Sequence, residues 1–141
     1  MPRPDNIGVG VALILPHPSE KSVLMSPRLN HPGGTPWQMI GGWLEPGELP
    51  LTAVAREAKE EADITLYHAE PVDEVWCWSA HYQNIWVCTK FFLANYWSGT
   101  PKRTEPDKAG EWEWVSVEGL EKRNLFYRQY LSVLDNIRDR W

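Results

Sequence analysis

The chain has 141 residues, 43% hydrophobic and 23% charged, the proportions of one globular domain that buries its core without disulfides. Its formal net charge of −5 excludes a duplex or long-RNA binder, which needs a basic face. A nucleotide is not excluded, because a divalent cation can screen phosphate from carboxylate. No apolar run approaches the ~20 residues of a membrane span. The two cysteines, Cys77 and Cys88, fit no metal spacing and are read as free buried thiols in a reducing compartment. "IGVGVALIL" (Ile7 to Leu15) lacks a basic flank and a small-residue cleavage site, and the charged "PHPSEK" follows it. It therefore reads as a buried strand, and the expectation is a soluble, cytoplasmic, single-domain protein spanning residues 1–141 with no membrane partner.

In chain order, "GVGVALIL" predicts a central strand and "KSVLMSPR" (Lys21 to Arg28) a second, after a Pro-His-Pro-Ser turn. "LNHPGGTPW" is a Gly/Pro loop, and "WQMIGGWLEPGE" a short strand and turn. A helix is expected over Pro50 to Ala62, with Leu51, Val54, Ala55, Ala58 and Ala62 as its apolar stripe. From Ile64 to Trp97 two apolar runs flank "SAHYQN", the pattern of a long hairpin. "SGTPKRTEPDKAG" is a polar loop in which Glu105 and Asp107 read as solvated. "EWEWVSV" alternates strictly, with Trp112 and Trp114 on one face and Glu111 and Glu113 on the other. "LFYRQYLSVLDNIRDRW" predicts an amphipathic helix with Leu125, Leu131, Leu134 and Ile137 toward the core. Strands, helix, strands, helix make an α+β sandwich, a mixed sheet between helices.

The stretch "REAKEEADI" (Arg56 to Ile64) carries a question. At about 100° per residue, Glu61 lies about +40° from Glu57 and Glu60 about −60°. The three carboxylates share one face, next to the buried stripe, while Arg56 and Lys59 project from the far side. Glu57 and Glu61 form an i,i+4 like-charge pair, which costs a few tenths of a kcal/mol. Arg56 can pair with Glu60 but does not relieve that pair. A hard divalent cation bound by clustered carboxylates and substrate phosphates would do so. On the helix alone, a metal site and a solvated face both fit.

The residues upstream decide between them. "GWLEPGELPLTAVAREAKEEADI" reads as Gly42, five residues, Glu48, seven residues, then Arg56-Glu57-Ala58-x-Glu60-Glu61-x-Asp63-Ile64. This resembles the Nudix box, G-x5-E-x7-R-E-U-x-E-E-x-G-U, with every charged position matched. Ala58 is small for the aliphatic position, and Asp63 replaces the last glycine. Asp tolerates the left-handed conformation that glycine would supply, so Asp63 either caps the helix or adds an acid to the rim.

The resemblance implies a Nudix fold and the cleavage of a nucleoside diphosphate linked to another moiety, with Mg²⁺ or Mn²⁺ as cofactor. Carried onto this chain, Glu57, Glu60 and Glu61 become metal ligands, one of them the base that activates water. The Gly41 carbonyl becomes a further ligand, Arg56 orients a box glutamate, and Glu48 braces the loop–helix junction. Flanking pieces such as "VLMSPR", "HYQNIWV", "EPDKAGEWEWV" and "LFYRQYL" resemble the MutT-like nucleoside triphosphate diphosphatases, of the type that also clears thiopurine nucleotides. On that likeness Arg28, Gly41 and Gly42 lie by the phosphates, and Phe126, Tyr127 and Gln129 line the base pocket at the start of the final helix. Enzymes of that type carry Trp and Gly where this chain has Tyr127 and Arg128, so base preference does not carry over. Glu111 reads equally as an accessory ligand or base and as an exposed strand residue. Without the resemblance Phe126 and Tyr127 read as core, and Arg28 as a soluble strand end.

The expected reaction is hydrolysis of nucleoside triphosphates or dNTPs, modified ones included, to monophosphate and pyrophosphate. Another nucleoside diphosphate derivative is the alternative: ADP-ribose, a sugar nucleotide, a dinucleoside polyphosphate or capped RNA. ADP-ribose members commonly carry a proline beyond the box where this chain reads "WSAHY", and capped RNA favours a more basic surface. A nucleotide-sensing module without catalysis usually lacks box glutamates, and this box keeps them all. A homodimer is compatible with the resemblance.

Overall fold

The computed structural model describes residues 7–32, 34–79 and 85–141. Eight-residue β1 (Ile7–Ile14) runs between β4 (Ile40–Trp43), antiparallel to it, and β6 (Ile85–Ser98), parallel to it. β5 (Thr65–Ser79) pairs antiparallel with β6 and forms the edge of this mixed sheet, where Pro71 costs no ladder hydrogen bond from a partner beyond it. Residues 80–84 of the expected hairpin turn, with His81, lie outside the described residues. A smaller sheet joins β2 (Ser22–Pro27) to β3 (Trp37–Gln38) and to β7 (Glu113–Ser116).

Two apolar clusters flank the main sheet, because β1 and β6 alternate their side chains between its faces. One holds Val11, Leu13, Ile40 and Phe92 against α1 (Pro50–Ala62); the other holds Ile14, Met25, Phe91 and Leu93 against α3 (Gln129–Asn136). The result is the expected α/β/α sandwich. A five-residue helix, α2 (Val117–Glu121), started by the Ser116 hydroxyl accepting from Gly119 N–H, was not legible in the sequence.

α1 has the predicted bounds but a shifted stripe: Ala53, Val54, Ala58 and Ala62 are buried, and Leu51 is exposed. The final helix is shorter than expected. Residues 125–128 approach α3 as extended and bent chain, held by Phe126 N–H donating to the Trp37 carbonyl at 2.8 Å. Leu125, Leu134 and Ile137 are buried as expected, Leu131 only partly, and Tyr130 and Val133 join them.

Asp63 ends α1 in the left-handed region, φ 54° and ψ 36°, its N–H donating to the Lys59 carbonyl at 3.2 Å. Its carboxylate turns to Lys59 Nζ, 2.9 Å away, so Asp63 caps the helix and is absent from the cleft lining. Asp63→Gly is expected to equal or exceed wild-type stability, because the Lys59 pair it gives up is solvent-exposed and contributes little. Asp63→Ala should fall about 1 kcal/mol below the glycine variant, because alanine bears the full left-handed cost. Urea midpoints of the three proteins check this; an alanine variant as stable as the glycine one would contradict the cap.

Candidate active site

β4 and α1 meet at a cleft of about 370 Å³. Both glycines of β4 are there because side chains cannot be. A Cβ on Gly41 would lie 2.4 Å from the Val11 carbonyl oxygen, and one on Gly42 would lie 2.4 Å from Glu57 Oε1. The absence of side chains lets α1 bring its acids onto the strand. Gly41 N–H donates to Glu61 Oε2 at 3.4 Å.

Arg56 holds the rest of the acids. Its Nε donates to Glu48 Oε2 at 2.7 Å and its Nη2 to Glu48 Oε1 at 2.9 Å, a bidentate pair. Its Nη1 donates to Glu57 Oε1 at 2.9 Å and Glu60 Oε2 at 3.3 Å, and its Nη2 also to the Trp43 carbonyl at 3.2 Å. The placement of Arg56 on the far side of the helix is thus corrected: its long side chain folds back across the acidic face. Glu48 also accepts from Glu45 N–H at 3.1 Å, bracing the loop to the helix. The Arg56 hydrogen bond, then that of Glu45, lower the Glu48 pKa from 4.5 to about 2.

Glu61 has the opposite environment. Enclosure by protein, then its hydrogen bond to Glu57 and the charge of Glu57, push its carboxyl well above the ordinary range; only Gly41 N–H draws it down. Two carboxylates close enough to share a hydrogen bond are hard oxygen donors, and the pair fits a divalent metal. Among the described residues no group of three or more His, Cys, Asp or Glu side chains is gathered to hold an ion by itself. Glu60 is turned to Arg56, its side chain 57% exposed. That donor set suits a divalent cation that takes one or two carboxylates and completes its shell with water and phosphate.

Arg28 lines the cleft with its guanidinium 5.4 Å over the Phe126 ring and Nη1 3.4 Å from Gln38 Oε1. Tyr127 packs edge-on to Phe126 at 4.7 Å and to Tyr130 at 5.6 Å, and all three rings line the cleft. Tyr130 is buried, which raises its phenol pKa, and its oxygen accepts from Met39 N–H at 3.4 Å. Gln129 does not line the cleft: α3 begins at that residue, so the two preceding aromatics reach the cavity from the approach to the helix. Glu111 is absent from the lining too; exposed, it lies 3.9 Å from Arg103 Nη1. The loop acid in the lining is Glu105, expected to be solvated, joined by Arg103 and Lys108. Gln38, Arg103, Lys108 and Tyr130 were missed; only the position of Gln38 close before the box glycines could have signalled one of them.

The NUDIX domain family model matches residues 6–134, and the chain belongs to the Nudix family. Nudix hydrolase 25 of Arabidopsis thaliana is 29% identical over 143 aligned positions, covering 86% of this chain and 78% of that protein. The MutT NUDIX hydrolase of Burkholderia pseudomallei has the same fold, with a TM-score of 0.82, 23% identity, and 94% of this chain and 99% of that one covered. The C. elegans Ap4A hydrolase follows at a TM-score of 0.67, 19% identity, and 94% and 95% coverage. The chain is a hydrolase of nucleotide diphosphate derivatives, in a family that generally uses a divalent metal. No helix among the described residues is long and apolar enough to cross a membrane.

The Glu48 carboxylate is stabilised in the fold because its folded pKa lies below the ordinary 4.5. Its contribution is full above that value and disappears as pH falls toward 2. The stability gap between wild type and Glu48→Gln, read from urea midpoints, should therefore narrow on acidification over that window. A gap of constant size would show that the charge of Glu48 contributes nothing.

Proposed function

We propose that this protein hydrolyses nucleoside triphosphates or dNTPs, with ordinary or modified bases, to the monophosphate and pyrophosphate, using Mg²⁺ or Mn²⁺. The observation that carries this reading is the facing pair Glu57 and Glu61 in a cleft also lined by Arg28, Arg103 and Lys108. Carboxylates for a cation thus adjoin cations for a polyphosphate. In this reading Glu57 and Glu61 are the principal protein ligands, with Glu60 and the Gly41 carbonyl completing the set. Arg56 keeps Glu57 in place, and Gly41 N–H orients Glu61. Arg28 engages phosphate, with Gly41 and Gly42 letting the substrate approach the strand, and Phe126 and Tyr127 offer ring faces to the base. A divalent ion at these oxygens supplies neutralisation of phosphate charge and a lower pKa for water. Water adds at the α- or β-phosphorus, the bond from that phosphorus to the α–β bridging oxygen breaks, monophosphate and pyrophosphate separate, and a box carboxylate takes the proton from water. The free thiols Cys77 and Cys88 support a reducing, cytoplasmic setting.

Incubation with a panel of NTPs, dNTPs, ADP-ribose, sugar nucleotides and dinucleoside polyphosphates, with products separated by chromatography, should give monophosphate and pyrophosphate from one or more triphosphates. Orthophosphate as the only inorganic product, or dominant cleavage of ADP-ribose, would sink the assignment. Glu61→Gln should lower kcat on the order of 10²-fold or more at saturating Mg²⁺; undiminished turnover would remove Glu61 from the chemistry.

A further inference from the structure

The last carbonyls of a helix have no partner within it and must find one elsewhere. In α1 those carbonyls belong to residues of the acidic cluster, and the 99–112 segment satisfies them in sequence. Thr104 Oγ1 donates to the Glu60 carbonyl at 2.5 Å, Trp112 Nε1 to the Glu61 carbonyl at 3.1 Å, and Lys102 N–H to the Ala62 carbonyl at 2.9 Å. The same segment is fastened on its other side to the chain around Arg28. Leu29 N–H donates to the Lys108 carbonyl and Gly110 N–H to the Pro27 carbonyl, both at 2.8 Å, while Asn30 Nδ2 donates to the Asp107 carbonyl at 3.0 Å. Arg103 stiffens it from within, Nε to the Ala109 carbonyl at 2.8 Å and Nη2 to the Pro106 carbonyl at 2.9 Å. Residues 99–112 are therefore a strut between the Arg28 side of the cleft and the last turn of α1.

We propose that Thr104 and Trp112 are positioning residues of the hydrolytic site, holding the main chain of Glu60 and Glu61 so that the Glu61 carboxylate stays against Gly41. The inference rests on the reading of Glu61 as part of that site. Trp112 lies just before β7, its ring only partly buried against the apolar cluster under α1 and its indole N–H aimed at the Glu61 carbonyl. A carboxylate that binds a cation must be oriented by groups behind it, and loss of such support typically lowers metal affinity or activity 10- to 100-fold, roughly.

Thr104→Val and Trp112→Phe each remove one donor and keep most of the packing; Thr104→Ser restores the hydroxyl. Binding of Mn²⁺ alone to the full chain, followed by electron paramagnetic resonance, should weaken about 10-fold in the first two variants and recover in the serine variant. The kcat of the cleaved nucleotide should fall in parallel while its KM and the melting temperature hold. Unchanged Mn²⁺ affinity in both variants would overturn the proposal. So would a serine variant as impaired as the valine one, losses that track melting temperature, or a rise in KM alone, the mark of substrate contact. An inactive wild type whose Mn²⁺ binding still responds as expected would refute the proposed reaction and leave the positioning role. An active wild type with indistinguishable variants would refute only the positioning role.

Discussion

The site depends on one guanidinium. Arg56 joins Glu48 on the loop, Glu57 and Glu60 on the helix, and the Trp43 carbonyl at the end of β4. A lysine could not replace it, since only the planar fork presents several donors at fixed angles. Its effect is to divide the acids into two kinds. Glu48, Glu57 and Glu60 pair with it; Glu61 does not, and is held by the Gly41 N–H and by its hydrogen bond to Glu57. The helix thus carries one carboxylate whose charge the protein leaves poorly compensated, beside another whose position Arg56 fixes.

The two glycines of β4 serve opposite directions. Successive strand residues face opposite sides, and here Gly41 meets the backbone of β1 while Gly42 meets the Glu57 carboxylate. One absence of a side chain brings the strands together, the other brings helix to strand. Any Cβ at the second position would displace Glu57 from the hydrogen bond that Arg56 gives it.

Legibility followed the range of the interactions. The bounds of α1 were readable because Pro50 and the local periodicity set them, and the sandwich was readable because strand and helix patterns are local. Leu51 and Ala53, two residues and about 160° apart on the helix, were both misjudged, since the sheet that α1 covers is not visible in its own sequence. The final helix was drawn too long: an apolar run from Leu125 fits a helix, but the pairing of Phe126 with Trp37, 89 positions earlier in the chain, holds it extended. Glu105, Arg103 and Lys108 were lost for the same reason. In the sequence they form a polar loop with many turn residues; only the fold shows which of their side chains face the cleft. Arg56 was placed by its backbone angle alone, and the length of its side chain overrode that placement.

α1 is secured at both ends by different means. Toward its first turns, Arg56 and Glu48 bind it to the loop through charge; at its last turn, main-chain carbonyls are bound by Thr104, Trp112 and Lys102. Glu61 belongs to the second, its carbonyl accepting from Trp112. The two restraints also differ in what they answer to: protonation of Glu48 weakens the first, while nothing in the second titrates near neutral pH. Asp63 completes the second restraint by turning the chain out of the helix in the left-handed conformation. The turn spends the Lys59 carbonyl on the cap and leaves those of Glu60, Glu61 and Ala62 for the strut. A residue that departs from the expected motif is therefore part of what directs the helix end, and Glu61 with it, toward the cleft.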